Sequence, residues 1–233
     1  MNFLPDEQIY ITYEEMCVIL AAVGRKGIYI VDSFDDATVP GDEKSVYPIM
    51  ASLYQKGLLE WEDDKAVFPE IYRPVLKILR DSRYVMIAAA KTGEQTIKES
   101  CFGSGVAMTM ETSRHDRNVL KLSFETDEEL IARMEEEEIF PGPVQKGKAE
   151  PAERFMEPDE GKTINDCLKD EDVHAVVELR NADDGTLAER VIVSQGLLFS
   201  VMYRQEKGKS RYFVIEDEIW KDMITSWLKR GAK

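Results

Sequence analysis

The chain has 233 residues, 43% of them apolar, and carries a formal net charge of −15. That length fits one or two domains, and the composition is that of a soluble globular protein. No apolar run approaches the roughly 20 residues that a membrane-spanning helix needs. The first ten residues have neither the basic region nor the apolar stretch of a signal peptide, so we expect neither a leader nor a membrane span.

Three cysteines, Cys17, Cys101 and Cys167, lie far apart in the sequence. An odd and sparse count argues against a disulfide framework and favours a reducing compartment. We therefore predict a cytoplasmic protein whose cysteines are small buried hydrophobic residues.

The acidic residues concentrate in 125–160, where 13 Asp and Glu face 4 Lys and Arg. Such a field repels nucleic acid and anionic lipid at long range. Solubility is the ordinary explanation of an acidic excess, and attraction of a basic partner is the alternative.

The first 82 residues predict a helical unit. Thr12 and Glu15 form a capping-box pattern, and an apolar face at helical spacing predicts a first helix over 13–23, with Gly24 as its stop. A short strand is expected in 26–31, and a second helix over 44–56 ends at Gly57.

A small hairpin follows the second helix. Leu58–Trp61 and Ala66–Phe68 flank the acidic turn 62–65, and Pro69 suits the first position of a third helix. Helices packed against a hairpin predict a winged-helix-like unit over residues 1–82.

From Tyr84 the apolar period becomes two, which predicts an antiparallel meander with one buried face. Its four strands are predicted at 84–90, 96–102, 106–110 and 120–124. A capping box that starts at Thr126 opens a helix to about residue 138, so one sheet-plus-helix unit occupies 83–140. The Pro-, Gly- and charge-rich segment 141–162 is predicted to be a linker or a long loop.

The same order returns in 163–233, with strands predicted at 173–179, 187–193, 197–203 and 212–215 and a helix over 217–229. Gly105 and Gly196 each open a third strand, and DEEL (127–130) and EDEI (216–219) each open the closing helix. This predicts an internal duplication, although meanders that end in helices are also common. The fold class is therefore α+β, with two related antiparallel units that join or pack about a pseudo-twofold axis.

No residue pattern indicates catalysis, a metal or a cofactor. His115 and His174 lack partners at metal-ligand spacing, and the turn 103–105 lacks the further glycine of a dinucleotide site. The carboxylates of Asp32, Asp35 and Asp36 are candidate calcium ligands, but their spacing differs from that of the known calcium-binding loop. We therefore expect a protein that is not an enzyme.

The charge of the hairpin bears on DNA binding. The second helix offers only Lys44 and Lys56, and the hairpin carries four acids, Glu60, Glu62, Asp63 and Asp64, against Lys65. Phosphate contacts supply most of the affinity for DNA, so these charges disfavour a DNA-binding wing.

The C-terminal helix is the candidate partner-binding surface. Trp220, Met223 and Trp227 form a wide apolar arc together with their apolar neighbours, and aromatic residues and Met suit protein recognition. The alternative is that this arc packs on the second sheet.

The order of elements resembles that of the EspG-type chaperones of type VII (ESX) secretion. Leu53–Glu60 is similar to the LxxKGLLE-like turn between a helix and a strand in that family, and 67–90 resembles the family's helix ending before the first sheet strand. The resemblance covers 12–138 and, more loosely, 173–229, whereas the charged segment 141–162 and the high acidity depart from it. It implies a fold of two related sheet-plus-helix halves, binding of a helical secretion substrate, and no catalysis.

The leading hypothesis is a cytoplasmic, non-catalytic chaperone or adaptor that caps an apolar helical segment of a client protein. Two alternatives stay open: a winged-helix transcription regulator, and an acidic immunity or antitoxin protein that binds a basic enzyme. We expect no membrane partner and no cofactor, and the sequence leaves the oligomeric state open.

Overall fold

A computed structural model describes residues 8–29, 35–36, 41, 43–91, 97–113, 115–116, 118–140, 162–194, 200–206, 209–215 and 220–231. The α-helices are α1 (Tyr13–Val23), α2 (Glu43–Gln55), α3 (Arg73–Asp81), α4 (Asp127–Glu136), α5 (Ile164–Leu168) and α6 (Trp220–Gly231). The strands are β1 (Ile9–Thr12), β2 (Gly27–Ile28), β3 (Asp35–Asp36), β4 (Glu60–Glu62), β5 (Lys65–Val67), β6 (Tyr84–Ala90), β7 (Lys98–Phe102), β8 (Val106–Thr112), β9 (Val119–Thr126), β10 (Val173–Asn181), β11 (Leu187–Ser194), β12 (Ser200–Glu206) and β13 (Lys209–Ile215).

One nine-stranded antiparallel sheet organises the chain, in the order β1-β9-β8-β7-β6-β10-β11-β12-β13. Each predicted meander is present, and the first strands of the two meanders pair with each other from Tyr84↔Asn181 to Ala90↔Ala175. The two predicted sheets are therefore one continuous sheet, and the α+β class is confirmed. The division into units at 82, 140 and 162 stays a prediction.

The sheet is covered on both faces, which explains the continuous apolar run of β6. Val85, Ile87 and Ala89 belong to a core shared with α1, α2, α3 and α5. Met86 and Ala88 point to the opposite core, shared with α4 and α6. A strand that is buried on both faces is apolar at successive positions instead of alternating.

The first helix forms as predicted, whereas the third begins later than expected. The capping box of Thr12 and Glu15 is complete, and Gly24 ends α1 in the left-handed conformation. Pro69 precedes a 3₁₀ turn over Glu70–Tyr72, and α3 starts only at Arg73. The reason is Pro74, which lacks an N–H and fits only the first turn of an α-helix.

Strand β1 and helix α5 are among the elements that escaped the sequence analysis. Strand β1 adds an edge to the sheet by pairing Ile9 with Leu122 and Ile11 with Leu120. Helix α5 is a single capped turn, opened by Thr163 and Asp166 in a capping box. Both are too short to show a periodic pattern.

Other predictions are met in part or fall outside the described residues. Of the strand expected in 26–31, the structure describes residues 26–29, and of these Gly27–Ile28 pairs with Asp35–Asp36. Almost all of the predicted linker 141–162, together with Gly196 and the EDEI run, lies outside the described residues. No helix within the described part of the chain is long and apolar enough to cross a membrane.

Candidate functional site

The three predicted partner-binding residues lie on the inner side of α6. Trp220, Met223 and Trp227 are all buried, in the core that α6 shares with α4 and the sheet. The ring of Trp220 stacks on that of Phe140, with centroids 4.4 Å apart. The apolar arc of the helix is therefore occupied by the protein itself.

A buried carboxylate fixes α6 to the sheet. The indole N–H of Trp227 donates to Oε2 of Glu189 on β11 at 2.7 Å, and Arg230 donates to Oε1 of the same carboxylate. The outward positions of α6 are polar: Lys221, Asp222, Ser226, Lys229 and Arg230. Direct contact between a partner and the three predicted residues would require α6 to leave the sheet, and their role stays a prediction.

Large apolar side chains are exposed elsewhere. Among the described residues these are Tyr10, Tyr47, Tyr54, Trp61 and Ile71, four of which lie between positions 47 and 71. We call the region Tyr13–Asp81, with α1 to α3 and the β4–β5 hairpin, the head. The two exposed tyrosines of α2 were missed because the apolar spacing of that helix was assigned to a single buried face.

Helix α2 has apolar residues on two sides. Leu53 is buried toward the sheet, whereas Tyr47 and Tyr54 are exposed. Seven residues make almost two full turns, so these two tyrosines lie on the same side of the helix about 10 Å apart along its axis. The sequence signal was present as tyrosines at i and i+7.

The β4–β5 hairpin presents an aromatic side chain and a set of acids. Trp61 pairs with Ala66, and the turn between Glu62 and Lys65 consists of Asp63 and Asp64 alone. Glu60, Glu62, Asp63 and Asp64 are exposed, and among the described residues no salt bridge joins any of them to a cation. A phosphate backbone laid against this tip would meet uncompensated negative charge.

The buried charged groups are paired with one another and are enclosed. Arg25 donates to Glu99 at 2.5 Å and to the sulfur of Cys101 at 2.7 Å. Glu178 accepts from Arg180 at 2.5 Å and from Arg190 at 2.6 Å. These contacts are ion pairs that link neighbouring parts of the sheet and its covering layer.

The cysteines and histidines take structural positions. Cys17, Cys101 and Cys167 are buried free thiols, and burial raises the pKa of Cys101 to about 11, which keeps it protonated and unreactive at neutral pH. The ring Nε2 of His174 lies 2.5 Å from the backbone oxygen of Glu138. Within the described residues no group of His, Cys, Asp and Glu has a geometry suited to a metal ion.

Comparisons with known proteins give a match at the level of the fold. No protein-family model and no curated protein sequence matches the chain. Among solved structures, the chain is similar to EspG5, a type VII secretion system chaperone of Mycobacterium tuberculosis, solved in complex with a PE25-PPE41 dimer. The two chains superpose with a TM-score of 0.52 and 10% sequence identity, over 97% of each chain. The class that this defines is an EspG-like mixed α+β fold.

Proposed function

We propose that this protein is a non-catalytic, protein-binding chaperone or adaptor. The observation that carries the proposal is the fold shared with EspG5 over 97% of both chains, because EspG5 is a chaperone and its structure was solved with a bound protein dimer. The two chains are nearly equal in extent under this alignment, so the likeness concerns the whole fold and not one module.

The proposed mechanism is non-covalent. The protein caps an apolar helical segment of a client, and a net charge of −15 keeps the resulting complex soluble. Substrates of type VII secretion are the clients that we propose, by analogy with the fold neighbour. We place the protein in the cytoplasm, in keeping with three free buried thiols.

The architecture suits this function if it arose by duplication. Each meander is followed by a helix, α4 or α6, and both helices pack in the same core on one face of the sheet. The antiparallel β6–β10 pair lies at the junction of the two meanders. We propose that this pair marks the pseudo-twofold axis and that the head, with its winged-helix-like hairpin, serves as a protein-binding unit.

The alternative of a DNA-binding regulator is less well supported. Its hairpin would carry Glu60, Glu62, Asp63 and Asp64 to the phosphate backbone, against the single cation Lys65. The acidic character of the chain also suits an immunity or antitoxin protein. Capture of a basic enzyme as the partner would favour that alternative.

Affinity capture followed by reconstitution tests the proposal. The tagged protein is purified from its source organism, the retained proteins are identified by mass spectrometry, and each is produced separately and remixed. We expect a stoichiometric complex with a helical secreted protein on gel filtration. Retention of no such protein, or of nucleic acid in its place, would refute the proposal.

A further inference from the structure

Four exposed side chains of the head form a set that the core does not use. Tyr47, Tyr54, Trp61 and Ile71 are 71%, 53%, 54% and 53% exposed, respectively, and we call them the head surface. Single exposed apolar residues are ordinary. Among the residues whose side-chain exposure is described, one other large apolar side chain is exposed, Tyr10 on strand β1. Four of these five exposed side chains therefore lie in the head.

The chemistry of these side chains suits protein recognition. Tyrosine and tryptophan are enriched in the energetic centres of protein interfaces, because they bury much area and retain one polar group. The two phenol groups of α2 make no hydrogen bond to another described residue, so both are available to a partner.

Acidic groups accompany this apolar set. Trp61 lies between Glu60 and Glu62 in β4, and Asp63 and Asp64 follow directly. Some sheet acids, by contrast, are paired: Glu111 accepts from Lys98 and Lys121, and Glu125 accepts from Arg133. The four acids beside Trp61 therefore present their charge to a partner without a salt bridge to a described cation.

The turn holds its acids in a backbone conformation that favours other residues. Asp63 and Asp64 have φ angles of 47° and 60°, as a two-residue type I′ hairpin turn requires, and Asn-Gly is the preferred sequence for that turn. Replacing this pair by Asn-Gly therefore removes two negative charges while it improves the local fit of the turn.

We propose that the head surface docks a protein segment in which apolar side chains are flanked by Lys or Arg. The apolar part would cover the aromatic side chains, and the cations would meet Glu60, Glu62, Asp63 and Asp64. A second copy of this chain would bring a net charge of −15 and the same acidic hairpin, so charge complementarity favours a basic partner over self-association. The proposal rests on exposure and charge and does not depend on the client proposed above.

A matched pair of peptides tests this inference with the full chain. One synthetic amphipathic helix carries a Leu stripe flanked by Lys, and the other carries the same stripe flanked by Glu. Of the three tryptophans, Trp220 and Trp227 are buried, so a change in emission reports on Trp61, with Trp61→Phe as the baseline. We expect saturable binding of the Lys peptide, weakened by added salt, and binding at least tenfold weaker for the Glu peptide, of about the size that charge complementarity supplies.

Substitutions then locate the site. Asp63→Asn with Asp64→Gly keeps the protein folded and should lower the affinity for the Lys peptide about tenfold, with a weaker dependence of that affinity on salt. Tyr54→Ser should lower this affinity further. Tyr10→Ser, at a comparably exposed residue outside the head surface, should leave the affinity unchanged. Equal binding of both peptides, no change in Trp61 emission, or self-association that Tyr54→Ser abolishes would each overturn the proposal.

Discussion

Arg25 and Glu99 form a fully enclosed ion pair, with Nη2 and Oε1 2.5 Å apart and the two side chains 3% and 0% exposed. Arg25 follows the end of α1, and Glu99 lies on β7 in the middle of the sheet. The second carboxylate oxygen of Glu99 accepts the backbone N–H of Tyr29 at 2.6 Å. The pair therefore joins the head to the sheet through groups that are almost completely buried.

Breaking this pair should be strongly destabilising. We expect Arg25→Met to lower the free energy of unfolding by about 3–5 kcal/mol, because it leaves a buried carboxylate without its cation. Combining it with Glu99→Leu should recover part of that loss. The remainder, about 1–3 kcal/mol, reflects the loss of the hydrogen bond that the Tyr29 N–H donates to Glu99. Urea denaturation of the three proteins measures this, and a double variant no more stable than Arg25→Met would contradict the account.

Gly231 should not tolerate a side chain. A Cβ at this position would lie 2.0 Å from Cδ2 of Phe102, whereas one at Gly41 would meet nothing within 4 Å. Because Phe102 is buried in the packed core, Gly231→Ala should cost about 1–3 kcal/mol by overpacking. Thermal melts should show a clear fall in the melting temperature for Gly231→Ala and almost none for the control Gly41→Ala. Equal melting temperatures for the two variants would place the end of α6 away from β7.

Glu15 should make stability depend on pH. Burial raises the pKa of this carboxyl, but hydrogen bonds from Lys56, Ser52 and the Thr12 N–H outweigh that effect, so the pKa lies below its ordinary value of 4.5. A lowered folded-state pKa contributes stability that is present above the unfolded-state value and is lost as the pH falls through the folded-state value.

Comparison of Glu15→Gln with wild type isolates this contribution. At neutral pH the substitution should cost about 1–3 kcal/mol, because a charged hydrogen-bonded group is lost, and the difference should shrink as the pH falls below 4.5. Glu14→Gln, at the exposed neighbouring position, is the matched control. A Glu15→Gln difference that is the same at pH values well above and well below 4.5 would show that folding does not lower the pKa of this carboxyl.

Substitution of Trp227 should lower the stability of the fold, without a direct effect on partner binding. Trp227→Phe removes the N–H that donates to Glu189 and should cost about 1.5–3 kcal/mol, as hydrogen bonds to charged groups do. Trp61→Phe, at an exposed site, should stay within about 0.5 kcal/mol of wild type. If Trp227→Phe weakened partner binding at unchanged stability, the residue would contact the partner directly.

Much of the architecture could be predicted because it depends on local signals. The capping box at Thr12, the glycine at 24 and the apolar strand from Tyr84 each correspond to an observed element. The joining of the two meanders was not predictable, since nothing local to β6 or β10 specifies which strand will be its neighbour. The run of apolar residues in β6 did carry a hint, because burial on both faces requires covering layers on both sides.

The candidate site shows where pattern reasoning stops. The wide apolar arc of α6 has the same sequence appearance whether it meets a partner or the protein's own sheet, and only the fold places Trp227 beside Glu189. The exposed tyrosines of α2 were missed because the predicted buried face, which ends at Leu53, already explained why the segment forms a helix. Exposure depends on tertiary neighbours, which periodicity within one helix does not contain.

The most direct test of the central claim is whether the chain keeps a client soluble. The captured client is expressed alone and together with this protein, and the soluble fraction and its mass are measured by gel filtration with light scattering. The account predicts that the client is insoluble alone and is recovered with this protein in a complex of defined stoichiometry. A client that is equally soluble alone, or that elutes apart from this protein, would contradict it.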